Sequence, residues 1–249
     1  MNWRQPPKVN PLPALLFWTA VWYGASLAMN NPLLLPTPVQ VLRCLGNMMI
    51  TAAFWQTAAV SMLRILLGVA GAVVLGTVLA MLTTRIRLLH TLIAPAMTAM
   101  QATPVASFTI LVLIWVNRDY VPALICGMMG LPIVWNSVSN GIRMTDPQLL
   151  EMAKVYRLPK LRILRRIYVP SVLPVFRMAC SSALGLGWKA GIAAEVLTVP
   201  KRSIGRMISE SKLYVLTEEL FAWTLVIIAF SLLLQKLMQR LLRGREGHA

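Results

Sequence analysis

The chain has 249 residues, of which 57% are hydrophobic and only 13% charged. A soluble domain of this size carries about a quarter charged residues, so the composition excludes an ordinary soluble enzyme and points to a membrane protein. The net charge of +16 invites a nucleic-acid reading, but the basic residues gather at the ends of apolar runs, where the positive-inside rule puts them.

Taken from the start, MNWRQPPK precedes an apolar run without a small-residue cleavage site, which reads as a retained first helix. A spanning helix needs about 20 apolar residues. Six segments come close, at roughly 13–30, 62–83, 91–117, 120–141, 173–198 and 220–239. The first is short and bounded by Pro13 and Pro32, and the third contains Pro95 and Pro104, so it is expected to be kinked or broken. The fold class is therefore all-α, a polytopic bundle of about six transmembrane helices. Trp18, Trp22, Tyr23 and Trp223 read as membrane-interface anchors. Gly68, Gly71 and Gly76 in the second segment, and the pair Gly187 and Gly191 in the fifth, read as close helix contacts.

Orientation follows from the loops. With the N-terminus inside, the inner stretches hold fifteen Lys and Arg: Arg4, Lys8, Arg85, Arg87, Arg143, six in a central loop, Lys236, Arg240, Arg243 and Arg245. The outer stretches hold six, namely Arg43, Arg118, Lys201, Arg202, Arg206 and Lys212. The imbalance predicts both termini and the central loop in the cytoplasm.

That central loop, Thr145 to Pro174, is the longest interruption of the apolar pattern. Lys154, Arg157, Lys160, Arg162, Arg165 and Arg166 face only Asp146 and Glu151. Asp146 is placed to cap a helix opened by Pro147, and Pro159 to open a second after a break at Leu158. In the second, Leu161, Leu164 and Tyr168 share a stripe with Ile163 and Ile167 beside it. Two short amphipathic helices joined at a proline make a surface element with one apolar face for a partner. Pro170 and Pro174 then return the chain to an apolar segment. The first helix is expected to run on through Arg157, because Pro159 already supplies the break.

Charges inside the spans are expensive, about 2.5–3.5 kcal/mol at a helix centre. Lys189 lies deep in the fifth segment and is expected to face protein or water, either where a cation attracts an anionic solute or held by a backbone carbonyl or a neighbouring helix. Glu195, about 240° further round the helix, points elsewhere and is expected to hold the outer gate or helix ends together. Arg64 reads as a snorkelling residue. No catalytic constellation is present. His90 and His248 sit in a loop and a tail without a nucleophile at a useful spacing. Cys44, Cys126 and Cys180 are too scattered for a metal or disulfide site. No cofactor is called for. Nothing matches G-x-x-x-x-G-K-[ST], so any ATP that drives the chain is hydrolysed on another subunit.

The loop also carries a spacing. Glu151-Met152-Ala153, three residues, Arg157, nine residues and Ile167-x-Val169-Pro170 resembles the EAA loop of ATP-binding-cassette importer permeases, E-A-A-x3-G-x9-I-x-L-P. Met152 replaces an alanine, Val169 a leucine and Arg157 the glycine. Gly187-Trp-Lys-Ala-Gly-Ile-Ala-Ala-Glu195 and Ala102-Thr-Pro104-Val-Ala106 are similar to the nitrate, sulfonate and taurine branch. The resemblance covers roughly residues 55–240 of a single permease domain, 1–249, with the coupling loop at 145–174.

The resemblance implies a MetI-like permease fold and alternating access in a bacterial cytoplasmic membrane. The expected partners are two ATPase subunits, an extracytoplasmic solute-binding protein, a second copy of this chain and membrane lipid, without nucleic acid. It gives coupling roles to Glu151, Met152, Ala153, Arg157, Pro159, Ile167 and Pro170, and places Gly187, Trp188, Lys189 and Glu195 by the translocation pathway. The resemblance implies a small solute, anionic or heterocyclic. Two rivals remain to compare. An ATPase-independent secondary transporter or channel needs several intramembrane acids, and the chain offers only Glu195. A membrane enzyme needs a His, Asp or Ser cluster at one membrane face, and the sequence shows none.

Overall fold

The computed structural model describes residues 11–243, and every regular element among them is helical. In chain order they are α1 (Pro11–Met29), α2 (Pro38–Met49), α3 (Ala52–Arg85), α4 (Arg87–Ala102), α5 (Val105–Leu113), α6 (Val121–Arg143) and α7 (Pro147–Val155). Then come α8 (Lys160–Ile163), a π-helical turn (Leu164–Tyr168), α9 (Val169–Thr198), α10 (Ile204–Leu213) and α11 (Thr217–Arg243). Five helical stretches among the described residues are long and apolar enough to cross a membrane, and a bent pair, α4 with α5, makes a possible sixth. Arg4, Lys8 and Arg245 of the charge count, the stretch MNWRQPPK and His248 lie outside the described residues.

The expected break in the third segment falls at Thr103–Pro104, where α4 and α5 meet at 107°. Pro104 has no N–H to give to the helix, and it drives Thr103 into the extended region (φ −77°, ψ 128°). Pro95, inside α4, leaves that helix unbroken. His90, expected in a loop, belongs to α4, with its ring 5.7 Å from that of Trp135.

The chain divides into two compact units, Met1–Trp55 with Met207–Val226, and Gln56–Arg206 with Ile227–Ala249. In the first, a capping box between Thr37 and Gln40 starts α2. The 30–36 connection is held by Trp22 Nε1, which donates to the Pro36 carbonyl at 3.1 Å, and by Ser26 Oγ, which donates to that of Leu35 at 2.8 Å. Trp223 is buried and stacked on Phe54 at 5.1 Å, and Trp22 stacks on Phe221. The expectation for Trp223 is corrected: it is a core residue, with Phe54 covering a face of its ring, while Trp22 is half-buried against Phe221. Trp18 and Tyr23 are exposed.

The second unit is organised on the pair α6 and α9, with α4 against α6 and α5 against both. One apolar cluster joins Ala80, Met97, Val134, Trp135, Val138 and Ala183; another joins Val112, Val121, Ile125, Met129, Ala190 and Ala194. Trp135 donates to Thr83 Oγ1 at 2.9 Å, so its indole N–H is satisfied within the core. Glycine is required where backbones meet. A Cβ on Gly68 would strike the Ala123 carbonyl, and one on Gly191 would strike Cys126 and Ile65. Gly71 faces open space instead, so it is not part of the close contact.

Candidate functional site

The basic loop begins as its sequence predicts. Asp146 accepts from the Gln148 N–H at 2.8 Å, and Pro147 opens α7. The end of α7 corrects the expectation for Arg157. The helix stops at Val155, and Arg157 adopts φ 48°. Its N–H donates to the Lys154 carbonyl at 3.0 Å, and that of Leu158 to the Ala153 carbonyl at 2.9 Å. This pair of bonds is a Schellman motif with Arg in the position that glycine fills most easily. It satisfies carbonyls that a helix end leaves open, which Pro159 cannot do because its ring carries no N–H.

The second helix is not a separate short piece either. Lys160 to Thr198 forms one 39-residue helical stretch. A π-turn absorbs the strain ahead of Pro170, with the Val169 N–H donating to the Leu164 carbonyl five residues back. Ile167 is buried, and Ser171 Oγ donates to its carbonyl at 2.8 Å.

On α7, Ala153 is buried within the chain while Glu151 is exposed. Met152, Val155 and Tyr156 stand 44%, 78% and 73% exposed at helix positions i, i+3 and i+4. They form an apolar stripe with no partner among the described residues, set in a basic surface. An amphipathic helix that keeps its apolar stripe in water is built to enter a groove on another protein.

At the far end of α9, some 42 Å from Ile167 at 1.5 Å per residue, lies the second functional cluster. Glu195 is fully buried, and Arg64 pairs with it at 2.8 Å. Arg64 is therefore an ion-pair partner rather than a snorkelling residue, because a buried carboxylate demands compensation. Ser61 Oγ and the Gly205 N–H also donate to Glu195, at 2.8 and 3.2 Å. Arg64 donates to the Lys201 carbonyl, and the Lys201 N–H to Asp119. Any side chain at position 205 would collide with Glu195. One carboxylate thus ties α3, the end of α9 and the first turn of α10 together.

Between these two ends the four expected pathway residues separate. Gly187 is buried against Val69 and Cys126, and Trp188 is buried edge-on to Phe230, with ring centres 6.4 Å apart. Glu195 is buried in its network. Lys189 is exposed on a stripe with Met178, Ser182, Leu186, Ala193 and Leu197, spaced four, four, three, four and four residues apart along one face. Nine residues, about 14 Å, separate Lys189 from the end of α9.

The three cysteines are free, and no group among the described residues is arranged to hold a metal ion. Three features escaped the sequence reading: the α2 helix, the α10 helix and a cleft. The α2 helix was signalled by the T-x-x-Q capping box. A polar cleft of about 550 Å³, lined in part by Arg43, Cys44, Glu218 and Glu219, had no local signal. Burial, then Glu219 and Glu218, push the Cys44 thiol up, which makes it a poor nucleophile.

Residues 72–245 match the model of a family described as binding-protein-dependent transport system inner membrane component. The putative aliphatic sulfonates transport permease protein SsuC of Bacillus subtilis is 23% identical, over 95% of this chain and 87% of the relative. The taurine transport system permease protein TauC of Escherichia coli is 24% identical, over 99% and 94%. The riboflavin transport system permease protein RibX of Chloroflexus aurantiacus is 26% identical, over 91% and 86%. Among solved structures, an amino acid ABC transporter matches the fold with a TM-score of 0.58 at 16% identity, covering 73% of this chain and 87% of that one.

Proposed function

The chain belongs to the binding-protein-dependent transport family of inner membrane components, as a multi-pass permease subunit of an ATP-binding-cassette importer, and from that premise we propose how it works. The whole of 1–249 acts as one permease domain, with its core in about 55–240 and the 145–174 segment as a lever. Two copies form a homodimer. Two separate ATPase subunits hydrolyse ATP and each receives one α7. An extracytoplasmic binding protein delivers the solute, which relatives named for sulfonates, taurine and riboflavin suggest is small and anionic or heterocyclic. Both termini lie in the cytoplasm of a bacterial cell.

The observation that carries this reading is the exposed stripe Met152, Val155 and Tyr156, closed by the Schellman turn at Arg157. A helix stopped sharply and joined through Pro159 to a 39-residue helical stretch transmits motion as a lever, because neither end is free to unwind. Glu151 sits beside the stripe to pair with a basic group on the ATPase. Buried Ala153 and Ile167 seat the lever in its own chain, and exposed Pro170 follows the π-turn at its root. The Lys189 stripe of α9 faces the dimer axis, where a cation is hydrated instead of exposed to lipid. Gly187, Trp188 and Glu195 hold that wall in place from behind.

An ATPase-independent carrier is not favoured: Glu195 is the only acid in α9, and Arg64 already neutralises it. The test is affinity purification of the tagged chain from its native membrane. An ATP-binding-cassette subunit is expected to co-purify at one copy per permease chain. Recovery of a folded dimer without any ATPase would overturn the reading.

A further inference from the structure

Where the basic loop enters the bundle, α3, α6 and the segment from the π-turn into α9 enclose a cleft of about 600 Å³. Met81 and Arg85, Ile142, and Tyr168, Val172 and Phe176 stand on its three walls. It runs along α3 from Arg85 back to Thr77, eight residues or about 12 Å, close to the roughly 15 Å depth of one leaflet's hydrocarbon. The threonines in the wall do not make it polar. Thr77 Oγ1 donates to the Val73 carbonyl at 2.6 Å and Thr84 Oγ1 to that of Ala80 at 2.9 Å, so their hydroxyls are already bonded within α3.

The mouth is cationic. Arg85 belongs to the lining, exposed Arg165 and Arg166 sit on the π-turn between the lining residues Leu164 and Tyr168, and exposed Arg143 follows Ile142. The segments 77–85, 138–143 and 164–176 contain no acidic residue. An apolar throat nearly one leaflet deep with Arg85 in its wall, next to three further exposed arginines in the flanking turns, matches a ligand with a hydrocarbon chain and an anionic head. A second copy of this chain fits less well, because it has only eight acidic residues in all, and Glu195 in α9 is buried and paired.

We propose that this cleft binds one anionic phospholipid, its phosphate at Arg85 and one acyl chain between α3 and α9. The assignment to the cytoplasmic leaflet rests on the orientation proposed above; the binding itself does not. Basic residues at a membrane surface hold anionic lipid, and here the apolar cleft adds a seat for the chain. The lever leaves the membrane at the same π-turn, so the lipid sits against its root.

The test uses the purified full chain in detergent, offered dioleoyl-phosphatidylglycerol and dioleoyl-phosphatidylcholine in equal amounts and read by native mass spectrometry. The wild type is expected to retain one phosphatidylglycerol per chain with at least about fivefold preference. Arg85→Gln should bring the preference towards one, and Leu173→Trp, at the edge of the cleft, should reduce retention of both lipids. A wild type without headgroup preference would overturn the proposal, as would two variants that retain phosphatidylglycerol like the wild type. So would a Leu173→Trp change that alters the oligomer mass and leaves lipid retention alone, since it would give the cleft to a second copy. Probing the termini from each side of the membrane tests orientation separately, and termini found outside would move the lipid to the other leaflet without removing it.

Discussion

Arg64 and Glu195 stand 131 residues apart in sequence and 2.8 Å apart in space, with the carboxylate fully buried and the guanidinium 13% exposed. Removing one partner of such a pair leaves an uncompensated charge, at a cost of about 3–5 kcal/mol. Glu195→Ala should therefore lower the thermal unfolding midpoint in detergent sharply. Glu195→Gln should lower it less, because the amide oxygen still accepts a bond from Ser61 or Arg64. A Glu195→Ala chain as stable as wild type would remove the clamp from this account.

Arg157 offers the opposite sign. Its φ of 48° carries a steric cost of about 1–2 kcal/mol in L-residues that glycine avoids. Arg157→Gly should stabilise the turn by about 1 kcal/mol, and Arg157→Val should destabilise it. Amide exchange at Arg157 and Leu158, whose N–H groups close the turn, reads both. Faster exchange in the glycine variant would contradict the prediction.

Lys189 is the test of the α9 stripe. Being exposed within the chain, its replacement leaves the core untouched. Lys189→Met should keep a normal yield of folded dimer and normal basal ATP hydrolysis while weakening uptake of an anionic solute. Lys189→Arg should keep part of the uptake, limited by the wider fork of the guanidinium. Normal uptake of an anionic solute by Lys189→Met would dismiss the role.

Two glycines expected to behave alike should now differ. Gly191→Leu drives a side chain into Cys126 and Ile65, whereas Gly71→Leu meets nothing within 4 Å of its Cβ. Overpacking costs about 1–3 kcal/mol or more, so Gly191→Leu should reduce the monodisperse fraction after solubilisation and Gly71→Leu should not. Equal behaviour would mean that α3, α6 and α9 do not meet as described.

The spans were legible because about 20 consecutive apolar residues leave the chain few other options, and the break at Thr103–Pro104 because proline acts locally. The Asp146 cap was legible for the same reason. Arg157 was misread because the break was assigned to Pro159 alone, whereas the Schellman bonds to the Lys154 and Ala153 carbonyls end the helix earlier and outweigh the positive-φ cost. Arg64 was misread because its partner lies 131 residues away, beyond any local pattern. Trp223 looked like an interface anchor for the same reason: Phe54, which covers it, is distant in sequence. Of the loop, the motif was readable, but its exposed face was not. Only the structure separates buried Ala153 from exposed Met152, Val155 and Tyr156.

The most direct test of the central claim is ATP hydrolysis by the complete importer, reconstituted with its ATPase and binding protein and carrying Val155→Glu. Val155 is 78% exposed and glutamate is a good helix former, so the chain should fold and insert as wild type does. Binding-protein-stimulated hydrolysis is predicted to fall towards the basal rate, because a charge in the middle of the stripe blocks entry into the ATPase groove. Stimulation and assembly equal to wild type in that variant would contradict the assignment of α7 as the lever.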